Sequence, residues 1–199
     1  MPNGPVAKID PALVGFDFDG VIADIGEAFI RLACTRYDYC GVELEEINSF
    51  QVDQCLDVPL PIIEKIFDDI LEDSIATELK PIPGAVKSLQ RLSSHGQVTI
   101  ITARPALEPV REWLKHYLGE QSDGSVRLVS SGHHNDKERY IRQHNILYFV
   151  DDRAATCLQL AEAGLYPLVF SQPWNRNQHN LPTVSSWQEI IDLLDVPEL

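Results

Sequence analysis

The stretch Leu13–Asp24, LVGFDFDGVIAD, constrains the chain more than any other. Leu13 to Phe18 is a short run, apolar except for Asp17 and β-branched or aromatic in part, and reads as a buried strand over about 12–18. A strand apolar on both faces belongs inside an α/β sheet. Asp17 and Asp19 stand at its carboxyl end, one residue apart, and Gly20 breaks the strand after them. In extended backbone the two aspartates project to the same side. Open α/β sheets place their ligands at the carboxyl ends of their strands. Two carboxylates that close repel, and one pKa rises unless a cation sits between them. Oxygen ligands in a hydrated geometry suit Mg²⁺. The stretch therefore points to a metal-assisted site that handles an anion.

The rest of the chain supplies a sheet for this strand. Asp24 is placed to cap a helix reaching about Tyr39, with Ile25, Ala28, Phe29, Leu32 and Ala33 at helical spacing. Residues 41–57 are acidic and irregular, with a helical turn near 44–47. Pro59 and Pro61 suit the start of a second helix, whose stripe is Ile62, Ile63, Ile66, Phe67, Ile70 and Leu71. Lys80-Pro-Ile-Pro-Gly84 is a stiff connector. Helices are expected at 85–95, from Pro105 to about Leu118, from Asn135 or Asp136 to about His144, at Thr156–Ala163 and at Ser185–Leu194. Strands are expected at 98–102, 126–129, 146–150 and 167–170, and 122–125 and 171–183 read as loops. From Ala85 onward helix and strand alternate, which specifies a parallel sheet with helical crossovers. The fold class is α/β: a doubly wound, Rossmann-like sheet of about five strands with helices on both faces. The purely helical region 24–80 reads as a small cap inserted after strand one, leaving 1–23 and 81–199 as the core.

Composition limits the partners. Sixteen Lys and Arg against 30 Asp and Glu leave a net charge of −14. That excess argues against a nucleic-acid polymer or an anionic membrane surface as partner. It does not exclude a small anion held by a metal ion and a few cations. No window approaches 18 uninterrupted apolar residues, and MPNGPVAKIDP lacks the apolar core of a secretory leader. The expectation is a cytoplasmic protein, monomer or homodimer. The four cysteines, Cys34, Cys40, Cys55 and Cys157, show no CxxC spacing and are expected as reduced thiols.

Polar residues recur where apolar runs end. Thr102 closes TIIT, Lys137 follows strand three, and Asp151-Asp152 closes ILYFVDD. In a parallel sheet these ends share one edge, so Asp17, Asp19, Thr102, Lys137, Asp151 and Asp152 gather in one crevice. Asp17 could attack phosphorus, which divides one difficult step into two. Asp19 could give a proton to the leaving alkoxide and later take one from water. Asp17 and Asp151 would hold Mg²⁺, Thr102 would donate to the phosphoryl group, and Lys137 would place a point charge against it. Acids alone repel a phosphate dianion, so the arithmetic requires the metal.

FDFDGV, a strand ending in Thr, a Lys and a strand ending in Asp-Asp resemble the four motifs of the haloacid dehalogenase superfamily. The second aspartate of the DxDG form resembles its phosphatase branch. The tail at 171–190, SQPWNRNQHNLPTVSSWQEI, is similar to the end of the 5′(3′)-deoxyribonucleotidase family. The resemblance implies Asp17 as nucleophile, Asp19 as acid/base and backbone metal ligand, and Thr102 and Lys137 as phosphate binders. It implies Asp151 as a metal ligand and Asp152 as a group that orients the metal's ligands or holds a water. It also implies a phosphomonoester substrate such as a (deoxy)nucleoside monophosphate. A small sugar phosphate and a non-catalytic phosphate-binding role stay open. Family caps stack aromatic residues on the base, whereas Ile25 stands where relatives often carry one. Phe50 is the candidate substrate contact here, or a packing residue of the cap. Arg104 could bind phosphate or sugar, or form a surface salt bridge. His133 and His134 could touch substrate from an exposed loop. Trp174-Asn175-Arg176 reads as a structural turn with one residue edging the site, and Trp113 and Trp187 as core.

Overall fold

Two interleaved apolar patterns explain the architecture. Along β2 (Val98–Thr102), Ile100 and Ile101 belong to different cores, and so do Val150 and Phe149 along β4 (Tyr148–Asp151). Neighbouring residues of a strand face opposite sides, so the sheet is covered on both. The structure, a computed structural model, describes residues 8–120 and 122–197. The first seven residues of the expected core segment 1–23 lie outside them.

The remaining strands are β1 (Val14–Phe16), β3 (Val126–Ser130), β5 (Tyr166–Phe170) and β6 (Thr183–Val184). They form one six-stranded sheet in the order β3-β2-β1-β4-β5-β6, every pair parallel. The order reverses between β1 and β4, and such a reversal opens a crevice at the strands' carboxyl ends. The sixth strand lies at the end of a segment expected as loop and in the residue after it. Two residues carry no readable period; Thr183 and Val184 are strand because β5 is beside them.

On one face pack α3 (Ala85–Ser93), α4 (Glu108–Leu118) and α8 (Trp187–Leu193), through Leu89, Leu92, Trp113, Trp187 and Ile190. On the other pack α6 (Lys137–Gln143) and α7 (Ala154–Glu162), through Ile141 and Leu160. The expected loop at 122–125 is a single helical turn, α5 (Ser122–Ser125). Between β1 and α3 the elements are α1 (Ile25–Tyr37) and α2 (Leu60–Glu72), with 3-10 turns at Leu44–Glu46 and Val52–Gln54. Phe29 of α1 and Phe67 of α2 stack at 5.1 Å. Asp24 caps α1 by accepting from Glu27 N–H at 3.0 Å.

The cysteine expectation fails for one pair. Cys34 and Cys40 form a disulfide, while Cys55 and Cys157 are free. The chain turns back after α1 through Asp38, whose φ is 61°. That reversal brings the two Cα atoms to 4.2 Å, although the spacing resembles no common motif.

The strand that ends at Phe16 is shorter than the apolar run, because the chain turns at once. Phe18 C=O accepts the N–H groups of both Ile22 and Ala23, and Gly20 has φ 72°. Two buried indoles hold this turn: Trp187 donates to Val21 C=O at 2.8 Å, and Trp113 packs edge-on against Phe18. Trp113 also donates to Leu79 C=O at 2.6 Å. Replacing Trp113 with alanine is expected to cost about 3–5 kcal/mol. Urea unfolding should show a lower midpoint at an unchanged slope.

Candidate active site

Asp17 leaves β1 at the reversal point, with its N–H on Val150 C=O at 2.8 Å. Its carboxylate accepts from Phe18 N–H at 2.7 Å and from Lys137 Nζ at 2.7 Å. Asp151 ends β4 and accepts the same Nζ at 2.6 Å. Lys137, the first residue of α6, is entirely buried between them. Asp151 Oδ1 accepts from Arg153 N–H at 2.8 Å.

Asp17, Asp151 and Asp152 form a buried cluster in which one carboxylate oxygen from each lies within 4.8 Å of the others. With all three carboxylates ionised, one ammonium would leave two negative charges. The electrostatics reflect that excess. Burial pushes the Asp17 carboxyl up to about 7; Lys137 opposes the rise and Asp151 adds to it. Burial also raises Asp152 well above the usual carboxylate range, with Asp151 and Asp17 adding. Burial alone would lower Lys137, but Asp151 and Asp17 reverse that and hold it above the ordinary lysine value. An all-oxygen cluster with two charges to neutralise fits a divalent cation such as Mg²⁺.

Asp19 stands apart from this cluster. Its two oxygens accept from Arg104 Nε at 2.8 Å and Nη2 at 2.7 Å, a bidentate pair. Of the four aspartates Asp17, Asp19, Asp151 and Asp152, it alone has its carboxylate turned away from the cluster. Only its backbone carbonyl is left for the role the resemblance implies. Arg104 is buried, donates from Nη1 to Ser74 Oγ at 2.8 Å, and lies over the Phe18 ring at 5.0 Å. Its ion pair with Asp19 is therefore buried rather than a surface salt bridge, and Arg104 also lines a cavity beside Asp17. Thr102 is buried at the end of β2, and its Oγ1 accepts from Arg104 N–H at 3.2 Å.

A cavity of about 350 Å³ adjoins Asp17, Asp19 and Asp152. Its walls are mainly apolar: Ile25, Phe29, Ile47, Phe50, Val52, Phe67, Leu71 and Trp174. Phe50 lines it, edge-on to His134 at 5.3 Å and beneath the Arg153 guanidinium at 5.1 Å. Phe29 and Phe67 are aromatic walls that helix periodicity alone could not separate from core. His134 lines the cavity with a buried Nδ1 that has no hydrogen-bond partner, while His133 is exposed.

The Gln172–Asn175 turn after β5 does more than edge the site. Trp174 Nε1 donates to Asp152 Oδ2 at 2.7 Å, and Asn175 Nδ2 to Asp152 C=O at 2.6 Å. Gln172 Nε2 donates to Gly20 C=O at 2.8 Å. A Cβ on Gly20 would sit 2.3 Å from Asp152 Oδ2, so this glycine is required by contact as well as by its positive φ. Arg176 instead pairs with Glu45.

Solved structures described as HAD-superfamily hydrolases share the fold. A HAD-superfamily hydrolase from Geobacter sulfurreducens matches with a TM-score of 0.56 at 16% identity, covering 94% of this chain and 100% of that one. The chain belongs to the family described as 5′ nucleotidase, deoxy (pyrimidine), cytosolic type C, whose model matches residues 11–198. Among relatives, a "Putative nucleotidase" of Bacillus cereus is 24% identical, covering 90% of this chain and 96% of the relative. A "Putative 5′(3′)-deoxyribonucleotidase" of Bordetella pertussis is 26% identical, covering 90% and 95%. The chain is accordingly a phosphatase of the 5′-nucleotidase type. Among the described residues no helix is long and apolar enough to cross a membrane.

Burial, then Lys137 and Arg153, hold His134 down to about 4, against an ordinary value of 6.5. The unfolded chain therefore takes up a proton that the folded protein refuses. This group's stabilisation is complete above pH 6.5 and is lost as pH falls toward 4. Urea unfolding at pH 7 and pH 5 should show wild type losing stability relative to His134→Gln at the lower pH.

Proposed function

We propose that the protein is a Mg²⁺-dependent phosphomonoesterase that works through an aspartyl phosphate and acts on (deoxy)nucleoside monophosphates. One observation carries the reading: a buried, two-charge carboxylate cluster adjoins an apolar cavity of about 350 Å³ that has aromatic walls. Asp17, Asp151 and Asp152 would hold the ion, with the Asp19 carbonyl beside them. When bound, it would screen phosphate from the acids and draw charge from the phosphoryl oxygens.

In this mechanism Asp17 attacks phosphorus, and the bond from phosphorus to the ester oxygen breaks. Asp19 gives its proton to the departing alkoxide, for which Arg104 must release one of its two oxygens. Water then attacks the phosphorus, Asp19 takes the proton, and phosphate leaves with the Asp17 carboxylate restored. Thr102 and Lys137 hold phosphoryl oxygens. Residues 24–80 act as a cap over the core formed by 1–23 and 81–199, excluding water and selecting the substrate. Phe29, Phe50, Phe67 and Trp174 suit a planar base better than a sugar's hydroxyls, which would find few polar partners. The cytosolic type named in the family description supports a cytoplasmic setting.

Asp17→Asn should lower Mg²⁺-dependent phosphate release by at least about 10³-fold with the fold intact by circular dichroism. Unchanged release would remove the nucleophile assignment. A panel of nucleoside monophosphates and sugar phosphates checks the substrate: kcat/KM should favour nucleotides, and a preference for sugar phosphates would overturn that part.

A further inference from the structure

The turn after β5 grips Asp152 from two directions. Asn175 Nδ2 holds its carbonyl at 2.6 Å and also bonds Phe170 C=O at 2.8 Å, which pins the turn to the strand. Trp174 Nε1 holds its side chain at 2.7 Å through Oδ2. That oxygen is wedged, because the space beside it is open only while residue 20 lacks a side chain. The other end of the indole is equally constrained. Its ring lies against Gly26 of α1, where an added Cβ would come within 3.3 Å of Cζ3. Trp174 itself is buried and forms part of the cavity wall. One rigid side chain thus touches the acidic cluster at its N–H and the cavity and α1 at its ring.

We propose that Trp174 is a positioning residue for the metal: its indole N–H fixes the orientation in which Asp152 presents its carboxylate to the ion. The physical reason is the rotational freedom of a carboxylate. Crowded by Asp17 and Asp151, an unheld Asp152 would turn away from the other two. A neutral donor can fix it without cancelling the negative charge a cation needs, as a lysine would. Partners that orient metal ligands in this way commonly change affinity by about 10–100-fold when removed. The inference rests on the metal reading above.

Trp174→Phe keeps an aromatic ring in the wall and removes the donor, together with the outer ring atoms that reach Gly26. Calorimetric titration with Mg²⁺ alone, without substrate, is expected to show affinity lowered by about 10–100-fold. Equal affinity in a folded Trp174→Phe overturns the proposal. A second measurement uses wild type, so it survives a variant that does not fold. The chain has three tryptophans, so ¹⁵N-indole labelling gives three side-chain signals. Trp113 and Trp187 donate to the backbone carbonyls of Leu79 and Val21, so Mg²⁺ should move the Trp174 signal most. The Trp174→Phe spectrum or selective labelling identifies it. Mg²⁺ binding with no shift of the Trp174 signal overturns the proposal. A wild type that binds no Mg²⁺ overturns the metal reading itself, so the two failures are distinct.

Discussion

A lysine with no solvent exposure is costly unless its charge is met. Lys137 meets two carboxylates at once, Asp17 at 2.7 Å and Asp151 at 2.6 Å. Neither acid could be buried at that distance from the other without it, and with Asp152 added the lysine no longer suffices. This arrangement suits the cation and the anion that the proposed function brings together. It also fixes the fold's most exact requirement. The first turn of α6 must reach the gap between β1 and β4, where the strand order reverses.

Around this centre stand groups that hold the charged ones in place. Arg104 spans Asp19 and Ser74, and so joins the acid/base candidate to the segment following α2. The Gln172–Asn175 turn spans Gly20, Asp152 and Phe170. Both contacts cross between β1's exit loop and a distant part of the chain. The cavity lies between the same parts, so the helical region that shapes the pocket and the carboxylates that would do the chemistry are mechanically joined.

Much of this was legible in the linear chain. The apolar runs at Val98–Thr102 and Tyr148–Val150 are strands because little else accommodates three to five consecutive β-branched and aromatic residues ending at a turn, although the second strand starts two residues later than expected. Their carboxyl ends must share an edge once the strands are parallel, so Thr102, Asp151 and Asp17 could be gathered without coordinates. Asp24 as a helix cap follows from local hydrogen bonding alone. Local signals failed where the partner is remote. Thr183 and Val184 have no period to read, Cys34 and Cys40 meet through a left-handed turn at Asp38, and Ser74 reaches Arg104 across the fold.

The sequence by itself determined the class of chemistry, since residue type and strand-end position specify where acids, hydroxyl and lysine must stand. It also determined the parallel sheet, because alternating helical and strand periods leave few other ways to bury every apolar face. Only the tertiary structure decided how the acids divide. Asp19 faces Arg104 while Asp17, Asp151 and Asp152 face one another, and the three lack enough cationic charge of their own. It alone decided which aromatics line the cavity: Phe29, itself buried in the core, and Phe67 have the same helical spacing as neighbours that do not line it. The reason is general. Period and composition are properties of a segment, whereas the direction of a carboxylate and the walls of a cavity depend on side chains from segments far apart in the chain.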